Sequence, residues 1–276
     1  MMQVRAVSCV CMQTAKAVLK AIAPPVLVSA WRRLRPATPG VQFEGPFASF
    51  AEAAAHADGW DVSVITEKAL AAAARVRDGL AAFEQDGIAY DRIVYSPTIL
   101  AFLLLAASRR DALNIIDVGG GLGSNYFQNH KLVGSLGMPV TWNILERPIL
   151  AELGRAHFAT AELGFFDDIS QLPNANGVLF TSSLQYIAEP FSALERAITL
   201  APLIALDRVL VGRSDRHAAF VQRPDPVAHY PATYAVWMFA RNGLIDWFAE
   251  HGFRLVEYFP DDPRRAFEHC GMLFAR

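Results

Sequence analysis

The stretch NIIDVGGGLGSNYFQ, Asn114 to Gln128, decides how the rest of the chain is read. A short apolar run (Asn114 to Val118) predicts a buried strand, four glycines (Gly119, Gly120, Gly121 and Gly123) predict a tight turn, and Ser124 onward can start a helix. A backbone that leaves a strand and enters a helix within a few residues needs positive φ, and a missing Cβ lets a ligand approach the peptide closely. The helix start then offers free N–H groups to that ligand. Asp117, Gly119, Gly121 and Gly123 fit D-x-G-x-G-x-G, whereas the dinucleotide pattern G-x-G-x-x-G would place Ser124 at its third glycine. A strand-turn-helix of this kind also occurs with no ligand, so its downstream partners matter.

The bulk composition sets the frame. With 276 residues, 53% hydrophobic and 19% charged, the chain can bury a full core as one large domain or as one domain with an extension. The formal charge of −2 hides an asymmetry, since Arg5, Lys16, Lys20, Arg32, Arg33 and Arg35 all precede the first acidic residue, Glu44. The body is acidic and has no basic stripe near the strand ends, which argues against nucleic acid as a partner. Three cysteines, with Cys9 and Cys11 separated by one residue, argue against a disulfide framework and fit a reducing cytoplasm. Cys9 and Cys11 lack the second ligand pair of a zinc site, and no metal is expected. The run Ala21 to Trp31 is too short to cross a bilayer, and Lys16 and Lys20 interrupt any cleavable signal. A basic, apolar head of this kind either lies on an anionic membrane surface or packs as an N-terminal helix.

Three regions follow: a basic segment over 1–42, a helical lead-in or cap over 43–110, and an α/β core over 111–276 with an insertion at 211–239. The lead-in has a turn at Gly45-Pro46, a helix capped by Ser49 with Glu52, and helices over about 63–84 and 97–109, without a strand signal between them. In the core, helices are predicted over about 124–136, 149–161, 191–200 and 242–251. Strands are predicted over 140–145, 163–166, 177–181, 203–210, 253–259 and 270–274. The last two strands, joined by a turn at Asp261 to Pro263, imply an antiparallel edge. Glu146 closes the second core strand, where an acid can accept hydrogen bonds from both ribose hydroxyls of a nucleotide. Ligands of open α/β sheets bind beyond the carboxyl ends of the strands, so Ser182, Gln185 and Tyr186 after the fourth strand are placed to border the reacting group, unless Leu184 and Tyr186 are core packing. Asp207 and Arg208 end the fifth strand, placed for chemistry or for an internal ion pair. The insertion, too long for a simple connection, is expected to cover the site, with His217, His229, Tyr230 and Tyr234 as groups able to bind or deprotonate an acceptor.

These residues resemble the first motif of class I S-adenosylmethionine methyltransferases. The resemblance extends to a bacterial family of such enzymes often found alongside surface-polysaccharide genes, through GPFASFAEA, GWD at Gly59 to Asp61, IIDVGGGLGSNYFQNHK, WNILERP, SSLQYIAEP, LDR at Leu206 to Arg208 and YPATYAVWMF. It implies a Rossmann-like, mostly parallel sheet with an antiparallel last strand and an N-terminal helical extension. It also implies S-adenosylmethionine as cofactor, bound by Asp117 near its methionine end, by Gly119, Gly120, Gly121 and Gly123, by Glu146 on the ribose, by Asp168 on the adenine, and by Ser182 and Ser183. A small-molecule or saccharide acceptor is then expected against Tyr126, Gln185, Tyr186, Arg208 and Tyr234, with His217, His229 or Asp207 as general base. The rival readings are a nicotinamide-dependent oxidoreductase or epimerase, and a catalytically silent scaffold.

Overall fold

The computed structural model describes residues 41–60, 63–85, 87–108, 111–224, 232–260 and 267–276. Its centre is a run of parallel strands: β4 (Leu113–Val118), β5 (Val140–Leu145), β6 (Leu163–Phe166), β7 (Gly177–Thr181) and β8 (Leu203–Gly212). They lie in the order β6-β5-β4-β7-β8. Strands buried on both faces read as continuous apolar runs, and Gly177 to Thr181 is buried at every position. The chain reverses at β4: β5 lies on one side of it and β7 on the other, which opens a crevice above their carboxyl ends.

β12 (Phe267–Ala275) runs antiparallel along β8 and carries β11 (Arg254–Phe259) on its outer side. This is the mostly parallel, Rossmann-like sheet expected, with the antiparallel edge read from the two terminal strands. Helices α3 (Pro97–Ala107), α4 (Ser124–Gly134) and α5 (Pro148–His157) bury Phe102, Tyr126 and Leu150 against Trp142 and Ile144. α6 (Pro190–Leu200) and α7 (Arg241–Glu250) close a second core with Leu194 and Phe248 around Phe180, Leu206 and Phe274.

Two segments differ from expectation. The insertion is not a loose cover, because β9 (Ala218–Arg223) and β10 (Tyr234–Ala240) pair antiparallel within it and extend the sheet. β12 takes one edge of β8 along its whole length, so β10 joins β8 in parallel at Val211 and Gly212, beyond the end of β7. The lead-in holds α1 (Phe50–Ala55) and α2 (Ser63–Arg77), with Ser49 capping α1 by accepting from Glu52 N–H at 3.1 Å. It also contributes strands where helices alone were expected. β1 (Gln42–Phe47) pairs with β9, and Gly45 and Pro46 fall at an irregularity within it rather than in a turn. The helix expected to reach Glu84 stops at Arg77, and Glu84 lies in the hairpin β2 (Phe83–Gln85) and β3 (Ile88–Tyr90). Among the described residues no helix is long and apolar enough to cross a membrane.

Candidate active site

The turn after β4 is built as its glycines require. Gly119, Gly121 and Gly123 have φ of +74°, +60° and +102°. Gly119 N–H donates to Leu145 O at 2.8 Å, which ties the turn to the end of β5. A Cβ on Gly119 would stand 2.5 Å from Ser183 Cβ, and one on Gly120 would stand 2.7 Å from the Asp117 carboxyl. Ser183 is itself fixed, since its hydroxyl donates to Val118 O at 2.5 Å. Gly119 and Gly120 thus make room for Ser183 and Asp117, whereas a Cβ on Gly121 would meet only Ser124 Oγ at 3.9 Å, so the turn is open at Gly121, ahead of the first-turn N–H groups of α4.

Two carboxylates flank this turn. Asp117 is fully buried, and its Oδ2 accepts from Asn125 Nδ2 at 3.1 Å and from Trp142 Nε1 at 3.2 Å. Burial pushes its carboxyl up to about 6 despite these two donors, and the charges of Glu146 and Asp207 push the same way. Glu146, at the end of β5, accepts from Arg147 N–H at 2.7 Å and from Gly121 N–H. Burial raises its carboxyl, and these donors partly offset the rise.

Across the crevice, β7 ends at Thr181, in register with Asp207 of β8. Ser182 has φ +51°, and its N–H donates to Asp207 O at 2.8 Å. Here β8 bulges. Leu206 pairs with Met272 and Val209 with Cys270, so Asp207 and Arg208 together face only Gly271, and Arg208 has φ +52°. A bulge of this kind re-aims side chains that a regular pleat would alternate. Asp207 Oδ1 accepts from Ser96 Oγ at 2.6 Å, and Ser96 is the N-cap of α3. Arg208 Nε lies 3.8 Å from Asp207 Oδ2. Gln185, buried beneath, donates from Nε2 to Ser182 Oγ and to Arg208 O, both at 3.3 Å.

Thr181, Asp207 and Arg208 line a cavity of about 330 Å³ with Ser96, Asn125 and Glu84. Strand β2, the segment Val94 to Ser96 and Phe259-Pro260 wall it. Glu84 is committed internally, accepting from Gly87 N–H at 2.7 Å and from the Ser124 hydroxyl. Ser96, Asn125, Thr181 and Glu84 were not singled out in the sequence. A serine followed by proline reads only as a helix cap, and Asn125 only as part of a helix start.

Several expected site residues lie elsewhere. Tyr126 points away from the crevice, with its hydroxyl donating to Glu162 Oε2 at 3.0 Å just before β6. Its ring is core packing against Trp142 and Phe127. Tyr234 stacks on Trp60 at 4.0 Å, and Tyr186 meets the same ring edge-on while donating to Gln222. These two tyrosines belong to the small core beneath β9 and β10. Asp168 caps a short 3₁₀ turn, accepting from Ser170 N–H at 2.8 Å, which holds its carboxyl below the ordinary value. His229 and Tyr230 lie outside the described residues.

His217 is not at the cavity. Its Nδ1 accepts from the N–H of Ala240, the N-cap of α7, at 3.1 Å, and its ring packs on Phe191 and Phe239. The proton of the neutral ring is therefore on Nε2, and burial lowers the pKa from 6.5. Because the folded value is depressed, this contribution to stability is complete above about pH 6.5 and is lost as pH falls through the folded value. His217→Ala should cost about 1–3 kcal/mol in urea unfolding, with His217→Gln recovering part of it through its amide oxygen. An unchanged unfolding midpoint for the alanine variant would refute this role.

No protein-family model matches the chain, and no curated protein matches it. Distantly similar solved structures exist. The N-terminal domain of EvdMO1 with S-adenosylhomocysteine bound is 20% identical, over 79% of this chain and 98% of that one, with a TM-score of 0.47. The Burkholderia thailandensis 1,6-didemethyltoxoflavin-N1-methyltransferase is 16% identical, over 88% and 98%, with a TM-score of 0.44. CalS10, an amino pentose methyltransferase from Micromonospora echinaspora, is 16% identical, over 65% and 89%, with a TM-score of 0.43.

Proposed function

We propose that the protein is an S-adenosylmethionine-dependent methyltransferase acting on a small-molecule or saccharide acceptor, in the assembly of cell-surface polysaccharide. The observation that carries this reading is the bare turn Gly119 to Gly123 with the Glu146 carboxylate held against it by Gly121 N–H from the end of the neighbouring strand. A nucleoside fits that arrangement, with its ribose hydroxyls donating to Glu146 and its sulfur-bearing chain passing the turn at Gly121, where a Cβ would meet only Ser124 Oγ at 3.9 Å. The bound cofactor would supply an activated methyl group. The chain's own part is positioning, which makes a bimolecular displacement effectively unimolecular. Asp207 Oδ2 is the atom to which an acceptor's proton would pass.

The domain limits belong to the same proposal: a basic segment over 1–42 touching the inner face of the membrane, a lead-in over 43–110 roofing the cavity, and the cofactor-binding core over 111–276. Calorimetric titration with S-adenosylmethionine, S-adenosylhomocysteine and NAD tests the reading. Both sulfur nucleotides should bind, and Glu146→Ala should weaken them about 10- to 100-fold through loss of a charged acceptor for two hydroxyls. Binding of NAD in their place would identify an oxidoreductase, and binding of none would identify a scaffold.

A further inference from the structure

We propose that the cavity beside Asp207 is the acceptor subsite and that it takes a neutral, hydroxyl-bearing ring of the saccharide type. This rests on the methyltransferase reading and deepens it by locating the acceptor subsite and choosing a saccharide-type ring among the small molecules it could take. Three polar groups on lining residues of the cavity have hydrogen-bonding capacity to spare. Thr181 is 8% exposed and its Oγ1 has no hydrogen-bond partner. Asp207 is 4% exposed; its Oδ1 is engaged by Ser96, while Arg208 Nε at 3.8 Å from Oδ2 is beyond hydrogen-bonding reach. Arg208 Nε is likewise buried without a hydrogen-bond partner, its contact with Asp207 being an ion pair alone. One carboxylate oxygen, one hydroxyl and one guanidinium thus stand on adjacent strands, at the end of β7 and in the middle of β8, with β8 bulged to bring Asp207 and Arg208 there together. Buried polar groups left unpaired are costly, so the ligand that completes them must both donate and accept.

Charge selects among such ligands. Glu84 and Asp207 line the cavity with one guanidinium, Arg208, and the imidazole of His269, so an anion such as phosphate would meet two carboxylates there. An ammonium group would gain from Asp207 but would leave Arg208 unmatched and facing it. Vicinal hydroxyls satisfy all three groups, because each donates once and accepts twice. The volume, near the lower end of the range of about 300–1,000 Å³ for small-molecule sites, suits one ring rather than a chain.

The test is saturation-transfer NMR on the full-length protein loaded with S-adenosylhomocysteine. The probes are a mixture of methyl α-D-mannopyranoside, methyl α-L-rhamnopyranoside and methyl β-D-galactopyranoside, with tyramine and inorganic phosphate as competing classes. At least one glycoside should give a signal. Thr181→Val and Asp207→Asn should each weaken that signal about tenfold or more, while calorimetric affinity for S-adenosylhomocysteine stays within about twofold of the parent. Thr181→Val keeps the shape of the side chain, and retained nucleotide binding reports that each variant is folded. No glycoside signal, a signal indifferent to both variants, or preference for tyramine or phosphate would overturn the proposal with the cofactor reading intact. Failure of S-adenosylhomocysteine to bind the parent protein would instead remove the reading on which the proposal rests.

Discussion

Gly119→Ala should destabilise the protein by about 2–5 kcal/mol and abolish measurable nucleotide binding. The magnitude has two sources. Alanine at the φ of +74° found here takes up the left-handed region at a cost of about 1–2 kcal/mol. Its Cβ would also lie 2.5 Å from Ser183 Cβ, a contact no rotamer can relieve because a Cβ moves only with its backbone. The hydroxyl of Ser183 is anchored on Val118 O, so retreat would break that bond as well, and overpacking of this sort typically costs about 1–3 kcal/mol. Urea unfolding and calorimetry of the same sample measure both effects. A variant of normal stability that still binds S-adenosylhomocysteine would show that the turn neither needs this glycine nor receives a ligand across it.

The second large effect is pH-dependent and sits at Asp117. Its carboxyl titrates near 6 in the folded chain against 3.8 ordinarily, so between these values the folded state holds a proton that the unfolded state has released. Stability must then fall as pH rises through this window, and the whole cost persists above it. About two pH units at about 1.4 kcal/mol each amount to roughly 3 kcal/mol at neutral pH. Asp117→Asn should remove this slope. Its amide oxygen can occupy the place where Oδ2 accepts from Asn125 and Trp142, so both buried donors stay satisfied. The variant and the parent should unfold alike near pH 4, with the variant gaining up to about 3 kcal/mol by pH 7. Parallel stability curves for the two proteins over that range would sink the argument. A stabilised variant that also loses S-adenosylmethionine would identify the cost as one tolerated for function.

The core strands were legible because their physics is local. Val140 to Leu145, Leu163 to Phe166 and Gly177 to Thr181 are short apolar runs bounded by turn residues, and their limits in the structure are those read from the sequence. Glycine spacing located the turn for the same reason. The strands that were missed depend on distant partners. Glu44 of β1 meets Val221 of β9, and nothing near Gly45-Pro46 announces that pairing. Polar-tipped side chains were the hardest to place. Tyr126, Tyr186, Tyr234 and His217 carry groups that serve equally in a core, and only their neighbours reveal which role they have: Glu162, Gln222, Trp60 and Ala240 N–H. Asp207 and Arg208 were expected at the end of their strand, whereas β8 runs on to Gly212, and the bulge that turns both toward one cavity appears only in the register with β12.

That cavity is divided between two kinds of support. Its floor, Thr181, Asp207 and Arg208, is carried on strands locked by pairing on both sides, whereas Val94, Tyr95 and Pro260 come from connecting segments outside the sheet. Connecting segments accept substitution far more readily than strands do. A lineage, or an engineer, can therefore reshape the mouth of the cavity and redirect which molecule is admitted while the reactive floor keeps its geometry. Libraries confined to those three mouth positions would explore acceptor choice at little risk to the scaffold.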